Sequence, residues 1–256
     1  MSHMQGKTIV ITGSSSGIGA DTARLLRQQG ARVIGVDRND PMLTLDGFVK
    51  ADLSTPAGVD AAVAQLPEKI DALCNIAGVP GTSPVDLVAR VNYLGLRHLV
   101  ARAAERMGEG GSIVNIASIL GAEWPQRLEP HRALAETSSF EAGQAWLEKH
   151  PVPQDTCYQY FKEALIVWTY TQSQKLFMER GIRMNCVAPG PVFTPIPGDF
   201  VQMLGEERVE KDAHRMKRPA FRDEVAPVVA FLCSDASRWV SGINLPVDGG
   251  LASTYI

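Results

Sequence analysis

Lys7-Thr8-Ile9-Val10-Ile11-Thr12 runs straight into Gly13-Ser14-Ser15-Ser16-Gly17-Ile18-Gly19, and this junction decides the fold. The first half is a short β-branched run without polar alternation, the pattern of a strand buried on both faces. The second half is a glycine-rich turn. Behind it, Ala20 to Gln29 carries Leu25 and Leu26 on an apolar stripe, and Gly30 is a helix stop. Strand, glycine turn and helix in that order form the context in which a dinucleotide is held. Glycines let the backbone approach a pyrophosphate, and free amides at the helix start meet its charge. Gly13, Ser15, Ser16, Gly17 and Ile18 are the expected contacts, with the hydroxyls of Ser14, Ser15 and Ser16 as added donors.

Outward from this junction, Ala31 to Val36 reads as a second strand ending in Asp37. An acid about 20 residues past the glycines is placed to accept from the adenosine ribose hydroxyls. A 2′-phosphate there would meet a like charge, which favours NAD over NADP. Arg38 is the competing signal, because a guanidinium can hold a phosphate or stack on adenine. Phe48 to Lys50 is a short third strand. Beyond it Asp52 can accept from the adenine amino group while Leu53 packs on the ring. Ser54 reads as the N-cap of a helix over 57–66. Ile70 to Asn75 is a fourth strand, and the small Ala77-Gly78 pair permits close approach of a cofactor ribose.

One long helical pattern covers Asp86 to Met107, with Asn92 inside its apolar stripe. A buried amide is unfavourable unless bonded, so Asn92 caps a local bend, orders a water or is a satisfied core amide. Gly111 to Ser118 is a fifth strand with Ser118 at its C-terminal end, where open α/β sheets place ligands. From 121 to 157 the pattern loosens into a helical insertion, with one helix over Leu134 to Lys149. It either shapes the site or covers a surface that relatives use for subunit contact. Tyr158 and Lys162 follow, four apart on a helix running to Arg180, so they share a face. A phenol has a pKa of about 10, and a neighbouring cation lowers it. A tuned phenol exchanges a proton with an alcohol or carbonyl. Ile182 to Ala188 is a sixth strand, leading to a proline-rich loop and a lid over 191–215 with an amphipathic stretch at 200–211. Asp223 to Cys233 is a last helix, Ile243 to Val247 a seventh strand, and Asp248-Gly249-Gly250 its turn.

Composition bounds the function. The 256 residues suffice for one large core, and 45% hydrophobic with 21% charged is ordinary globular usage. A net charge of −3 points to neither nucleic acid nor an anionic membrane. The four cysteines, Cys74, Cys157, Cys186 and Cys233, lack metal-ligand spacing, so no metal site is expected. They fit reduced thiols in the cytoplasm. No apolar run reaches membrane-spanning length, and no signal-peptide pattern opens the chain. Met1-Ser2-His3-Met4 looks like an expression scar, leaving 5–256 as a single domain.

Thr12–Gly19 (TGSSSGIG), Asn75–Gly78 (NIAG), Asn92, Ser118, Tyr158 with Lys162, Pro189-Gly190 and Asp248–Gly250, in this order, resemble the short-chain dehydrogenase/reductase family over essentially the whole chain. The resemblance implies an α/β, Rossmann-type, doubly wound parallel seven-stranded sheet in three layers, with the insertion before the catalytic tyrosine. It implies that Tyr158 transfers the proton, that Lys162 lowers its pKa and holds the nicotinamide ribose, that Ser118 orients the substrate oxygen and that Asn92 holds a relay water. Asn75, Pro189, Val192 and Thr194 join the cofactor contacts on the same ground. Ile76 departs from the family, which has a second asparagine there, and puts a strand-bracing hydrogen bond in doubt. The insertion is similar to that of bacterial 3α-hydroxysteroid dehydrogenases.

Within the family, Leu66–Thr82, Gly121–Pro125, Cys157–Trp168, Arg183–Pro195 and Pro246–Tyr255 are similar to enzymes acting on aromatic allylic alcohols. The expectation is NAD-dependent oxidation of a small aromatic alcohol to its aldehyde by a homodimer or homotetramer. Trp124, Phe193, Met203 and Leu204 are the expected apolar pocket, with Glu123 and Gln154 as candidates to meet a ring hydroxyl. A steroid alcohol is the alternative substrate. A non-catalytic NAD-binding regulator is the alternative of another class.

Overall fold

The computed structural model describes residues 4–192 and 205–255. All strand pairings are parallel, in the order β3-β2-β1-β4-β5-β6-β7. The strands are β1 (Thr8–Thr12), β2 (Arg32–Asp37), β3 (Gly47–Lys50), β4 (Ile70–Asn75), β5 (Met107–Ile116), β6 (Arg183–Pro189) and β7 (Asn244–Val247). The helices are α1 (Gly17–Gln28), α2 (Pro56–Gln65), α3 (Val85–Ala89), α4 (Gly95–Ala104), α5 (Leu128–Ala135), α6 (Phe140–Lys149), α7 (Cys157–Arg180), α8 (Glu206–Arg215) and α9 (Arg222–Cys233).

Alternate strand residues serve opposite faces, because successive side chains point to opposite sides. Val10 packs with α2, α4 and α7, while Ile9 and Ile11 pack with α1 and α9. Two separate cores follow, one on each side of the sheet, so the chain has three layers and the doubly wound arrangement expected from sequence. Parallel strands buried on both faces need such continuous apolar runs. Each fully buried Ile or Leu contributes about 1.5–3 kcal/mol.

Several boundaries differ from the sequence reading. Met4 belongs to the folded body: it is 1% exposed and packs in the core with Ile9 and Leu26. A turn that brings the Lys7 amide onto the Met4 carbonyl at 3.1 Å folds it inward. Thr55, not Ser54, caps α2, accepting from the Gly58 amide at 3.1 Å. Thr55 directly precedes the first helical residue, Pro56, whereas the Ser54 amide is taken by the Asp52 carboxylate. The long helix around Asn92 ends at Ala104 and contains a π turn over Arg90–Leu94. The insertion holds two helices where one was expected. Ser139 caps α6 by accepting from the Ala142 amide at 3.1 Å, which breaks the run between Ala135 and Phe140. The insertion lies on α7 and α4, with Leu134 and Phe140 buried in the same core. The lid helix begins at Glu206, later than the 200–211 stretch, whose residues before 205 lie outside the described residues.

Candidate active site

The C-terminal ends of parallel strands meet at one edge of the sheet. There Gly13 takes φ +69°, a conformation open to glycine, and a Cβ on it would sit 2.8 Å from the Ala77 Cα. The glycine turn therefore lies directly against the segment after β4. Thr12 ties them together: its hydroxyl accepts from the amides of Ile76 at 3.0 Å and Ala77 at 3.1 Å. The strand brace in doubt at Ile76 runs through other residues. Asn75 donates to Asn115 at 2.8 Å, Asn115 to the Thr169 hydroxyl at 3.0 Å, and the Cys186 thiol meets that hydroxyl at 3.1 Å. This chain links β4, β5, α7 and β6 beneath the site.

The turn fits a dinucleotide's phosphates. Ser16 occupies the extended N-cap position of α1 without a side-chain cap bond, so the first helical amides keep no side-chain partner. Gly17 again takes positive φ, at +58°, and Ile18 follows it in the first turn. The Ser14 hydroxyl is buried without a partner among the described residues. Ser15 is committed differently from the sequence reading: its hydroxyl donates to the Asn39 carbonyl at 2.6 Å. Its amide donates to the Asp37 carboxylate at 3.0 Å, and the Asn39 amide donates to the other oxygen at 2.9 Å. Asp37 is thus fixed at the end of β2 beside the glycine turn. Arg38 is exposed and makes no ion pair with a described residue. Asp52 is exposed after β3, and Leu53 beside it is buried, its carbonyl packed on Gly95.

Asn92 is a satisfied core amide at a bend. It accepts from the Val79 amide at 2.8 Å and donates to the Val79 carbonyl at 2.9 Å, standing in for a neighbouring strand. A Cβ on Gly78 would lie 3.3 Å from its oxygen. The side chain therefore holds the loop after β4. Its π turn, in which the Gly95 amide reaches the Arg90 carbonyl, is the local bend.

Ser118 sits just past β5. Its hydroxyl accepts from the Leu120 amide at 3.2 Å, and the Ser118 side chain acts on the Tyr158 phenol to favour its charged form. Lys162 lies one turn on, donating to the Ile116 carbonyl at 2.7 Å, with its ammonium 5.5 Å from the Tyr158 ring centre. The tuning differs from the sequence expectation. Burial pushes the Tyr158 phenol up to about 12, with the Ser118 side chain acting against it, and burial brings Lys162 down to about 8. Desolvation drives each group towards its neutral form. The ammonium is bonded to a carbonyl and lies over the ring rather than at the hydroxyl.

Pro189 ends β6, and Gly190 admits the Asp248 turn: a Cβ there would meet the Asp248 Cβ at 2.8 Å. Val192 bridges to Ala220, whose amide reaches the Pro191 carbonyl at 2.8 Å. Thr194, Phe193, Met203 and Leu204 lie outside the described residues. The other pocket candidates have partners within the chain. Trp124 packs edge-on to Tyr170 at 5.4 Å, twelve residues and about 18 Å along α7 from Tyr158. Glu123 accepts from Gln159 at 2.9 Å. Gln154 donates to the carbonyls of Gly81 at 2.7 Å and Ser83 at 2.8 Å, bracing a loop.

The sequence reading missed the clamp behind the Tyr158 turn. Glu163, 0% exposed, is gripped by Arg127 and His131 of the insertion and by Gln159. An acid inside the apolar run Phe161–Trp168 was the available signal. Among the described residues no cluster has metal-ligand geometry, and no helix is long and apolar enough to cross a membrane.

Residues 7–129 match the model of the short chain dehydrogenase family, and residues 142–252 match one described as enoyl-(acyl carrier protein) reductase. A coniferyl-alcohol dehydrogenase of Pseudomonas sp. strain HR199 is 64% identical over 99% of this chain and 100% of its own. A 3-alpha-hydroxysteroid dehydrogenase/carbonyl reductase of Comamonas testosteroni is 33% identical over 95% of each chain. Among solved structures, the 3-alpha-hydroxysteroid dehydrogenase of Pseudomonas sp. B-0831 complexed with NADH superimposes with a TM-score of 0.79 at 31% identity, covering 97% of this chain and 98% of that one.

Proposed function

Because the chain belongs to the short-chain dehydrogenase/reductase family, we propose that it oxidises coniferyl alcohol to coniferyl aldehyde with NAD as hydride acceptor. The observation that carries the chemistry is the Lys162 ammonium held 5.5 Å from the centre of the Tyr158 ring, with the Ser118 side chain acting on the phenol from the end of β5. The substrate class rests on the 64% identity to a coniferyl-alcohol dehydrogenase across both full chains.

The alcohol oxygen takes a place between the Ser118 and Tyr158 hydroxyls. Ser118, fixed by the Leu120 amide, orients it. Tyr158 as phenolate accepts the hydroxyl proton while the carbinol carbon gives up hydride, leaving the aldehyde. Bound NAD supplies the hydride acceptor and a positive charge that favours the phenolate. In this structure the phenol stands at about 12, so Tyr158 awaits that charge before it acts as a base. Oxidation is favoured as pH rises and reduction as it falls. Gly13 to Ile18 hold the phosphates, with Asp37 and Arg38 at the adenosine ribose and Asp52 and Leu53 at the adenine. Asn75, Ala77, Gly78, Lys162, Pro189 and Val192 would hold the nicotinamide half, and Thr194, outside the described residues, is a further candidate. Asp37, already the acceptor of two amides, carries the preference for NAD over NADP.

The enzyme is proposed to work in the cytoplasm as a homo-oligomer, its four cysteines free and buried. A steroid alcohol is the second substrate reading, favoured by the 33% identical relative. An NADH-formation assay of coniferyl alcohol against a 3α-hydroxysteroid, run with NAD and with NADP, separates the readings. Preferred turnover of coniferyl alcohol with NAD is expected. Preference for the steroid overturns the substrate assignment, and zero turnover across an alcohol panel favours a non-catalytic regulator.

A further inference from the structure

The insertion lines an open cavity of about 400 Å³ that the reaction does not use. A cavity of this size falls within the ordinary range for small-molecule sites. Its floor is the outer side of α7, where Thr156 and Tyr160 bracket the catalytic tyrosine. On a helix, Tyr160 points about 200° away from Tyr158, so the cavity and the reaction lie on opposite faces of the same turn.

The walls are flat and largely apolar. Trp146 and His150 stack with ring centres 4.0 Å apart and an interplanar angle of 16°, and Pro151, Val152 and Pro153 complete the rim. Beside the Trp146 indole, the lining residues Arg127, His150, Thr156 and Tyr160 carry polar side-chain atoms, and the first two are nitrogen groups. The His150 Nδ1 lies 2.8 Å from the Trp146 carbonyl, which can only accept, so Nδ1 carries the proton. Nε2 of the neutral ring is then an acceptor. Arg127 spends Nε and Nη2 on Glu163, and its Nη1 has no partner among the described residues. Aromatic walls with the His150 acceptor and the Arg127 donor suit a planar phenol with a neighbouring ether or hydroxyl oxygen. The ring stacks, the phenol donates to His150 and the second oxygen accepts from Arg127.

We propose that this cavity is a non-catalytic binding site for small phenols of the substrate's own class, acting on the catalytic turn from behind. The ligand class deepens the functional reading above. The site itself stands on the cavity's chemistry.

The test uses 2-methoxyphenol, which has no allylic alcohol and cannot be oxidised by hydride loss from a carbinol. Calorimetry on the full-length protein is expected to show saturable binding that survives Tyr158→Phe. His150 is exposed, so His150→Ala leaves the fold intact; it is expected to weaken binding roughly fivefold, the value of one hydrogen bond. Trp146→Leu is expected to weaken it further by removing the stacking wall. In turnover assays the compound is expected to lower kcat without raising KM. Purely competitive inhibition, or binding unchanged in both variants, or no binding to the wild type, overturns the proposal. Calorimetric binding is read without turnover, so a wrong alcohol assignment and a wrong second site give different results.

Discussion

The buried carboxylate of Glu163 accepts from Arg127 Nε at 2.7 Å and lies 2.8 Å from His131 Nε2, one residue along α7 from Lys162. Both partners come from the insertion, so a segment added before the catalytic tyrosine is bolted to the turn that presents it. Burial raises the Glu163 carboxyl, but hydrogen bonds from His131, Arg127 and Gln159 outweigh it and hold the group below its ordinary value. Removing one member of a buried pair leaves charges uncompensated and costs about 3 kcal/mol. Glu163→Ala is expected to lose that amount in urea unfolding at neutral pH. A depressed carboxyl stabilises above its unfolded pKa and loses that effect as acid protonates it. The gap between wild type and variant is therefore expected to close as pH falls below about 4.

Lys162 gives the opposite linkage. Its pKa falls from 10.5 in the free side chain to about 8 on burial, so the unfolded chain holds more protons between those values. Stability from this group is thus lowest below pH 8 and rises towards 10.5. Lys162→Met removes the buried charge and forfeits the bond to the Ile116 carbonyl. The balance is a gain of about 2 kcal/mol at pH 7. Thermal melts are expected to show a higher Tm together with lost turnover. A destabilised variant would show that the hydrogen bond outweighs the desolvation.

Ser118 acts on the phenol and is fixed by a backbone amide. Ser118→Ala is expected to lower kcat about a hundredfold, the scale of one positioned polar group in a transition state. NADH affinity, measured by nucleotide fluorescence, is expected to stay within about twofold, because a 1 kcal/mol change would already exceed it.

On the proposed reading, Asp37 sets the preference for NAD. Asp37→Ser removes the like charge that a 2′-phosphate would meet while leaving Arg38 to hold it. The kcat/KM ratio of NAD to NADP is expected to fall at least tenfold, about 1.4 kcal/mol. An unchanged ratio would place the discrimination elsewhere.

The glycine turn, the strand order's inputs and the Tyr158–Lys162 spacing were legible because each is a local pattern. A positive-φ glycine, a β-branched run and a four-residue helical spacing need no distant partner. What was not legible depends on packing. The phenol's rise to about 12 is a burial effect that spacing cannot show. Trp124 went to Tyr170 because the insertion lies along α7, a tertiary choice. The break between α5 and α6 rests on Ser139 prevailing over an apolar period that continues across it. Met4 reads as a tag by composition and is core by contact.

The central claim is that the Tyr158 phenol carries the substrate proton. The direct measurement is the turnover of coniferyl alcohol with NAD by Tyr158→Phe, beside NADH binding by the same sample. The ring that packs the site survives this change and only the hydroxyl goes. Loss of turnover by at least a thousandfold, about 4 kcal/mol in the barrier, with NADH binding kept, is the expected result. Turnover at the wild-type rate would contradict the account.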